Sequence, residues 1–352
     1  MDKVRSLVIH DAGDLRIENC NIDRPGPGQV KLSSAVGGIC GSDLHYYNHG
    51  GFGSVRLKQP MILGHEISAY VDEIGAGVNG LNQGDLVAVS PSRPCGQCAF
   101  CQQGLYNHCP DMRFYGSAMP FPHIQGAFRE AIVVEAGQCV KANGITAAVA
   151  AMAEPLSVCL HAIKRAGEIR GKRVLVTGCG PIGVLTIVAA HQAGAGEIIA
   201  TDLVANALEY AEKAGADKQI NIRQTPDALD RYTHNKGSVD ILFECSGSEL
   251  ALSVAMQTLR PRGIIIQLGL GGEMTIPMMQ VTARELDIRG AFRFHEEFST
   301  AVELMRSKKI DLTAFISHCL PFEQAETAFQ IAGDRSQSMK VQLEFPFRPS
   351  HH

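Results

Sequence analysis

Four cysteines within fifteen residues form a dense group of potential metal ligands in this 352-residue chain. They follow the pattern C-x2-C-x2-C-x7-C and are Cys95, Cys98, Cys101 and Cys109. Four thiolates at such spacing are typical of a closed tetrahedral zinc site, which is structural because no position stays open for a reactant. The alternative is an iron–sulfur cluster, since Pro110 follows the last cysteine as in C-x2-C-x2-C-x3-C-P. The last spacing is too long for that pattern, so the sequence favours zinc.

A second potential metal site combines three residues outside this group. Cys40 follows Gly38-Ile39, and His65 and Glu66 follow Gly64. A thiolate, an imidazole and a carboxylate leave one zinc position open, which is the arrangement of a catalytic metal. Each residue taken singly is weak evidence, because a lone cysteine is usually a small core residue.

A glycine-rich segment matches the pattern G-x-G-x-x-G and reads Gly178-Cys179-Gly180-Pro181-Ile182-Gly183. It follows an apolar run typical of a strand and opens a helical pattern, which is the setting in which this motif binds a dinucleotide. Gly178 allows the tight turn, Gly180 lets the backbone approach the pyrophosphate, and Gly183 lets helix and strand pack closely. We therefore expect the phosphates at a helix N-terminus, where N–H groups and the helix dipole favour anions.

Asp202 ends the next predicted strand, 19 residues beyond Gly183. A carboxylate there accepts hydrogen bonds from the adenosine ribose hydroxyls and repels a 2′-phosphate. The segment that follows, Leu203-Val204-Ala205-Asn206-Ala207, contains no arginine. The sequence therefore favours NAD over NADP. In the alternative interpretation, Asp202 only caps the helix that follows.

The predicted secondary structure that positions these residues changes near residue 153. Before it, short β-type runs such as Val30–Ser33 and Leu86–Val89 predict a β-rich domain. After it, predicted strands alternate with predicted helices: strands at Val174–Thr177, Ile198–Thr201, Val239–Phe243 and Gly263–Leu268, and helices at Ile182–Gln192 and Asn206–Ala214. This alternation predicts an α/β domain with a doubly wound parallel sheet. A last helix is predicted at Glu296–Ser307 and a last strand at Lys340–Phe345.

Composition narrows the class of protein. Apolar residues make up 45% of the chain and charged residues 19%, which is typical of globular proteins. A net charge of −4 without a Lys/Arg-rich stripe argues against a nucleic-acid partner. No apolar run approaches the roughly 18–20 residues that span a bilayer, so we expect no membrane partner. Eleven cysteines without a secretory signal predict thiols and metal ligands in a cytoplasmic protein. We assign no function to Arg348–His352.

Taken in order, these motifs resemble the zinc-containing medium-chain alcohol and polyol dehydrogenases over nearly the whole chain. The resemblance is carried by the segment 38–47, by Gly64-His65-Glu66, by the four cysteines, by Ala153-Glu154-Pro155-Leu156 and by the glycine-rich segment. It is most specific to the sorbitol, threonine and L-idonate dehydrogenase branch, through the segments 94–98 and 111–119. One departure is Ala69, where the family usually has glycine.

The resemblance implies a fold and a domain order. A GroES-like β-rich catalytic domain is expected at residues 1–153, with a structural-zinc lobe at about 93–110. A Rossmann-type dinucleotide-binding domain is expected at 154–290, and residues 291–352 are expected to return to the catalytic domain. The family forms homodimers or homotetramers, so we expect one of these states.

The resemblance also implies roles for single residues. Cys40 and His65 would bind a catalytic zinc, and Glu66 would be a direct ligand or lie one water away. Glu154 would be a further carboxylate that exchanges with that water. With the four-cysteine site, this implies two zinc ions per subunit. Ser42 and His45 would carry the substrate proton to solvent, and Asp43 would orient His65, because metal-bound imidazoles need such a partner.

The implied reaction is oxidation of a secondary alcohol, with hydride transfer to NAD(P)+. Within the branch, we expect L-idonate to be oxidised to 5-keto-D-gluconate, and sorbitol, another polyol or a threonine-type substrate are the alternatives. Arg113, His123 and Arg293 are candidates to bind a carboxylate, and Tyr46 to donate to a hydroxyl. Outside this class, the chain would be a zinc- or NAD-binding protein without catalysis, or a zinc-stabilised interaction module.

Overall fold

The computed structural model describes residues 2–346, so Arg348–His352 lie outside the described part. Within it, the chain divides into two compact units. The first unit combines residues up to Glu154 with Phe298–Asp334 and the residues from Lys340 onward. The second combines Pro155–Glu297 with the short segment Arg335–Met339. The polypeptide therefore passes from one unit to the other four times, and its second crossing falls later than residue 291.

The chain up to residue 150 is built mainly of strands. These are β1 (Asp2–Asp11), β2 (Asp14–Ile22), β3 (Gln29–Gly38), β4 (Gly51–Phe52), β5 (Val55–Arg56), β6 (Met61–Ile62), β7 (Glu66–Ile74), β8 (Leu86–Val89), β9 (Ser92–Arg93), β10 (Arg113–Phe114), β11 (Ala131–Glu135) and β12 (Cys139–Lys141). Three α-helices interrupt them: α1 (Gly41–His49), α2 (Ala99–Gln102) and α3 (Ala147–Ala150). The predicted strands at Val30–Ser33 and Leu86–Val89 lie within β3 and β8, which confirms them.

The middle of the chain alternates helices and strands, as predicted. Its helices are α4 (Ala153–Ala166), α5 (Pro181–Gln192), α6 (Ala205–Lys213), α7 (Glu249–Met256) and α8 (Met278–Arg284). Its strands are β13 (Arg173–Thr177), β14 (Glu197–Asp202), β15 (Lys218–Asn221), β16 (Val239–Glu244), β17 (Leu259–Gln267) and β18 (Asp287–Gly290). The remainder holds α9 (Glu297–Arg306), β19 (Ile316–Pro321), α10 (Ala325–Gly333) and β20 (Lys340–Glu344), so the last predicted helix and strand are confirmed.

The main sheet of the first unit joins the two ends of the sequence. Its order is β12-β8-β7-β3-β20-β19, and β11 also pairs with β3. The neighbours of β3 run antiparallel to it. Because side chains alternate between the faces of a strand, every second residue enters one core. That core includes the fully buried side chains of Leu32, Met61, Phe128, Phe322 and Leu343.

The second unit is a six-stranded parallel sheet in the order β15-β14-β13-β16-β17-β18. This is the doubly wound order of dinucleotide-binding folds, in which ligands bind at the carboxyl ends of the strands where the order reverses. Val174, Leu175 and Val176 of the central strand are fully buried. A parallel sheet buried on both faces requires such a continuous apolar run. The predicted doubly wound fold is confirmed.

The expectation that no apolar run is long enough to span a bilayer is wrong for one helical stretch. Ala147–Ala166, which spans α3 and α4, is long and apolar enough to cross a membrane by length and composition alone. In the folded protein, 61% of the most apolar 18-residue segment of this stretch is buried. Glu154, Lys164 and Arg165 break up its apolar sequence. A core helix passes the same test, and the burial of this stretch fits that description.

Candidate active site

Three potential metal ligands meet where β3 and β7 lie side by side. The ligand atoms of Cys40, His65 and Glu66 all lie within 4.8 Å of one another. Gly38, the last residue of β3, pairs directly with Glu66, the first residue of β7. Cys40 is the N-cap of α1, just after β3, and His65 immediately precedes β7. The antiparallel register therefore brings two distant parts of the sequence to one place.

Lys340, the first residue of β20, is a member of this group that sequence reasoning missed. Its Nζ lies 2.8 and 2.7 Å from the Glu66 Oε1 and Oε2 atoms and donates to the Ile39 carbonyl at 3.1 Å. Lys340 and Glu66 are both almost fully buried. Burial alone would lower the pKa of Lys340, but the charge of Glu66 holds it above its ordinary value. The sequence contains no local signal for this role, because β20 also carries Gln342 and Glu344 and its one lysine looks like an ordinary polar strand residue. The contact with Glu66 explains the burial, because buried lysines need an acidic partner.

Glycine at position 38 makes room for the Glu66 carboxylate. A Cβ atom there would lie 2.1 Å from Glu66 Oε2. Any other residue at this position would displace the carboxylate or the strand, because packed interiors leave no space for an added methyl group.

The pKa values of the Cys40 thiol and the Glu154 carboxyl are compatible with a binding site for a divalent cation. Burial, with the charge of Glu66, raises the pKa of the Cys40 thiol to about 11. Burial also raises the pKa of Glu154 to about 8; His65 opposes this shift and Glu66 adds to it. Both groups therefore keep their protons near pH 7, and a bound metal would displace them, because metal ligands must be deprotonated. Thiolate, imidazole and carboxylate together suit Zn2+.

Asp43 is fully buried beneath these residues and fixes the backbone on both sides of the site. Its Oδ2 accepts the N–H of Cys40 at 3.0 Å, and its Oδ1 accepts the N–H of Gly64 at 3.2 Å. Oδ1 is 3.9 Å from His65 Nδ1, which is longer than a hydrogen bond. Its predicted role in orienting His65 stays a prediction, and the structure shows a role in holding the two ligand-bearing segments.

Ser42 and His45 lie three residues apart on α1, which places them on the same helix face. The Ser42 hydroxyl is hydrogen-bonded to the Cys40 sulfur and so opposes the larger effect of burial on the thiol pKa. His45 is half-buried, with its ring centroid 5.9 Å from that of Phe52 and 6.2 Å from that of His49. Burial and, to a smaller extent, His49 lower the pKa of His45. A neutral imidazole can accept a proton, so the predicted relay keeps a suitable acceptor.

The four clustered cysteines form a second potential metal site. Their sulfur atoms all lie within 4.8 Å of one another: Cys95, Cys98, Cys101 and Cys109. The backbone N–H groups of Cys95 and Cys101 donate to the sulfurs of Cys109 and Cys98, at 3.3 and 3.4 Å. N–H groups of Gln97 and Cys98 lower the pKa of the Cys95 thiol to about 7, whereas burial raises the pKa of the Cys101 and Cys109 thiols. A bound metal would displace the protons of these two thiols, because metal ligands must be deprotonated. Four thiols converging in this way fit a closed tetrahedral site.

The glycine-rich segment forms the turn between β13 and α5, as predicted. Gly178 has a φ of +81°, a conformation that favours glycine. A Cβ atom at Gly183 would lie 1.8 Å from the Gly178 carbonyl oxygen. Gly180 is the N-cap of α5 and Pro181 occupies the first turn of that helix, followed by Ile182. A helix N-terminus of this kind suits a pyrophosphate.

The three glycines of this turn are expected to respond differently to alanine. Gly183→Ala should destabilise the fold by about 3 kcal/mol or more, because the methyl group would overlap a backbone carbonyl. Gly180→Ala should leave the fold within about 0.5 kcal/mol of wild type, since the nearest atoms to its Cβ belong to the flexible Arg335 side chain and lie no closer than 3.6 Å. It should still weaken NAD binding about tenfold or more, a loss of about 1.4 kcal/mol, because its methyl group would take space that the pyrophosphate needs. Urea unfolding and calorimetric titration with NAD measure the two effects, and unchanged NAD binding by Gly180→Ala would show that the pyrophosphate binds elsewhere.

Asp202 closes this turn from the end of β14. Its Oδ2 accepts the N–H of Cys179 at 2.7 Å, and its Oδ1 accepts those of Leu203 and Val204 at 2.7 and 2.9 Å. Arg335 Nη2 also donates to Oδ2, at 2.8 Å. Asp202 thus holds the turn that leads into α6 but does not cap this helix, whose N-cap residue is Val204 and which has no side-chain cap hydrogen bond. It lies beside the glycine-rich turn, so its predicted role as a ribose acceptor stays a prediction. The ion pair with Arg335 was invisible in the sequence because 133 residues separate the partners.

Three of the candidate substrate residues, Tyr46, Arg113 and Arg293, lie in different environments in the structure. Tyr46 is buried, and its hydroxyl accepts the N–H of Ala118 at 3.0 Å. Arg113 is exposed on β10. Arg293 belongs to the second unit, has a φ of +55° and lies with its guanidinium carbon 4.9 Å from the Phe292 ring centroid. The proposed substrate contacts of these three residues stay predictions.

His123 no longer qualifies as a substrate candidate. Its Nε2 accepts the N–H of Lys58 at 2.8 Å, and its Nδ1 lies 2.9 Å from the Pro120 carbonyl oxygen. The ring is also buried. Both nitrogens therefore hold the surrounding loops together, which leaves neither for a carboxylate.

Comparison with known proteins supports this combination of folds and sites. Residues 26–144 match the alcohol dehydrogenase GroES-like domain, and residues 181–307 match the zinc-binding dehydrogenase domain. L-Idonate 5-dehydrogenase (NAD(P)(+)) of Escherichia coli K12 is 40% identical, over 97% of this chain and 99% of its own. Sorbitol dehydrogenase of Gallus gallus is 38% identical, over 96% of each chain. The crystal structure of L-idonate 5-dehydrogenase from Escherichia coli K-12 superposes with a TM-score of 0.94, at 40% identity, over 98% of this chain and 99% of that one.

The chain therefore belongs to the zinc-containing medium-chain alcohol dehydrogenases, and it is an enzyme of that class. Within the family, its relatives place it among the dehydrogenases of polyols and sugar acids. The predicted GroES-like domain, Rossmann-type domain and family membership are confirmed.

Proposed function

We propose that this enzyme oxidises L-idonate at C5 to 5-keto-D-gluconate, with hydride transfer to NAD+. The observation that carries the proposal is the group formed by Cys40, His65 and Glu66, whose ligand atoms lie within 4.8 Å of one another at an open three-ligand site. The similarity to L-idonate 5-dehydrogenase along the whole chain supports the choice of substrate.

In this proposal Cys40, His65 and Glu66 hold a catalytic zinc, with Glu154 as an additional carboxylate close by. Zinc in such a site acts as a Lewis acid and makes the hydroxyl proton of an alcohol easier to remove. Ser42 would take up the substrate proton and pass it on towards the cofactor ribose, and His45 would hand it to solvent. Asp43 and Lys340 keep the ligand-bearing segments and Glu66 in place. The protein's remaining task is to align the alcohol carbon with the nicotinamide.

We further propose a structural zinc at Cys95, Cys98, Cys101 and Cys109, which gives two zinc ions per chain. Metal analysis of the purified enzyme should find two equivalents of zinc. Iron together with acid-labile sulfide would show that the four cysteines hold a cluster instead.

The substrate is best tested by comparing kcat/KM across a panel of hexonates and polyols with NAD and with NADP. We expect the highest value for L-idonate with NAD, because the Asp202 carboxylate can accept hydrogen bonds from both hydroxyls of an unphosphorylated ribose. Formation of the reduced cofactor, followed at 340 nm, measures each rate. A higher kcat/KM for sorbitol would reject the sugar-acid proposal and leave the zinc chemistry unchanged. Sorbitol is the second candidate, since sorbitol dehydrogenases are almost as similar to this chain.

The proposal places the enzyme in the cytoplasm as a homodimer or homotetramer, as the family resemblance implies. Light scattering coupled to size-exclusion chromatography distinguishes these states from a monomer of 37.9 kDa.

A further inference from the structure

Arg335 lies where the cofactor's adenosine would bind, although it is far away in the sequence. It opens the segment Arg335–Met339, which belongs to the second unit although both neighbouring segments belong to the first. The Arg335 carbonyl accepts a hydrogen bond from Asn206 Nδ2 on α6 at 3.3 Å. Its guanidinium donates from Nη2 to Asp202 Oδ2 at 2.8 Å. The segment is therefore fixed to the edge of the dinucleotide fold at two points.

The pair is not a symmetrical surface ion pair. The Asp202 side chain is 3% exposed, whereas that of Arg335 is 50% exposed. Three backbone N–H groups also hold the Asp202 carboxylate in place. The Asp202 carboxylate is therefore held in one position by the backbone, and the half-exposed Arg335 guanidinium contacts it from the solvent side.

Arg335 also reaches the glycine-rich turn. A Cβ atom on Gly180 would lie 3.6 Å from Arg335 Nη2 and 3.9 Å from its Nε. The guanidinium thus lies between Gly180, where the pyrophosphate is expected, and Asp202, where the adenosine ribose is expected. A guanidinium carries five N–H donors, and Asp202 is its one side-chain hydrogen-bond partner within residues 2–346.

These positions alter the expected discrimination between cofactors. An isolated carboxylate at the end of the second strand repels a 2′-phosphate. A cation in contact with that carboxylate offsets its charge and offers donors in a planar fork that matches phosphate oxygens. We propose that Arg335 is a specificity-determining residue that binds the 2′-phosphate of NADP, so that this enzyme accepts both NAD and NADP. The inference rests on the nicotinamide cofactor of the proposed function, and it is independent of the sugar substrate.

The test measures binding of adenosine 2′,5′-bisphosphate and of 5′-AMP to the purified enzyme by calorimetry. These two probes differ only in the 2′-phosphate, and neither needs the zinc chemistry or the sugar. Arg335→Ala should weaken binding of the bisphosphate about tenfold or more, as expected for the loss of charge-assisted hydrogen bonds. Binding of 5′-AMP should change by less than about threefold, because its ribose contacts Asp202 instead. Arg335→Gln, which keeps the length of the side chain but not its charge, should give the same selective loss if Arg335→Ala folds poorly.

Arg170→Ala is the matched control. Arg170 is an exposed arginine of the same unit, and it lies just before β13, at the edge of the sheet opposite the glycine-rich turn. Its replacement should leave both affinities unchanged. Equal losses for the two probes in Arg335→Ala and Arg335→Gln, or no loss in either variant, would overturn the proposal. A selective loss together with failure on every sugar acid would keep this inference and reject the proposed substrate.

Discussion

Replacing Cys40 with serine is expected to lower kcat/KM by about 1,000-fold or more while the fold and NAD binding persist. The catalytic metal supplies several kcal/mol of charge stabilisation in the transition state, and each 1.4 kcal/mol corresponds to about tenfold in rate. Serine removes a soft ligand that sits within 4.8 Å of the ligand atoms of His65 and Glu66. The zinc content should fall from two equivalents to one, because the four-cysteine site is separate in the sequence and in the fold.

Cys319→Ser is the matched control for this experiment. Cys319 is an exposed thiol on β19 and belongs to neither group of metal ligands. The control should keep both zinc equivalents and the full rate. A Cys40→Ser enzyme that turns over at the wild-type rate would refute the catalytic role of the site and leave a protein that binds zinc and NAD for another purpose.

The second large effect concerns stability. In the zinc-free enzyme, Lys340→Met is expected to lower the free energy of unfolding by about 3–5 kcal/mol, because it leaves the buried Glu66 carboxylate without a counter-ion. Methionine has a similar length, so the loss reports the charge more than the volume. Urea unfolding followed by circular dichroism measures it.

Two further variants make this result interpretable. Lys141→Met breaks the more exposed ion pair with Asp85, whose Nζ–Oδ2 distance is 2.8 Å, and should cost less than about 1 kcal/mol. Adding Glu66→Gln to Lys340→Met should restore much of the lost stability, since the uncompensated charge is then gone. If Lys340→Met is as mild as Lys141→Met, then the pair does not stabilise this part of the fold.

The sequence was most informative where a function depends on neighbouring residues. The turn from Gly178 to Gly183 and the four-cysteine group each lie within one short segment, so their spacing alone predicts their geometry. The parallel sheet was equally accessible, because strands such as Val174–Val176 must be apolar on both faces. The residue types of Cys40, His65 and Glu66 suggested one metal site, but only the family resemblance gave this grouping weight, because the register of β3 against β7 is a tertiary property.

The remaining parts of the site depend on contacts between distant segments. Lys340 reaches Glu66 across 274 residues, and Arg335 reaches Asp202 across 133. Neither basic residue forms a motif with its sequence neighbours, so no local pattern indicates it. His123 shows the converse difficulty, because a histidine that satisfies its backbone looks the same in sequence as one that binds a substrate.

The position of β20 has a consequence for how this protein is made. Domains generally fold as units while the chain emerges from the ribosome. The residues from Pro155 to Glu297 form all six strands of the parallel sheet, so that sheet can form once they have been synthesised. The first unit cannot complete its sheet by then, because β20 fits between β3 and β19 and follows every other strand of this sheet in the sequence. Until then Glu66 lacks its counter-ion, so the candidate metal site is among the last parts of the nascent enzyme to assemble.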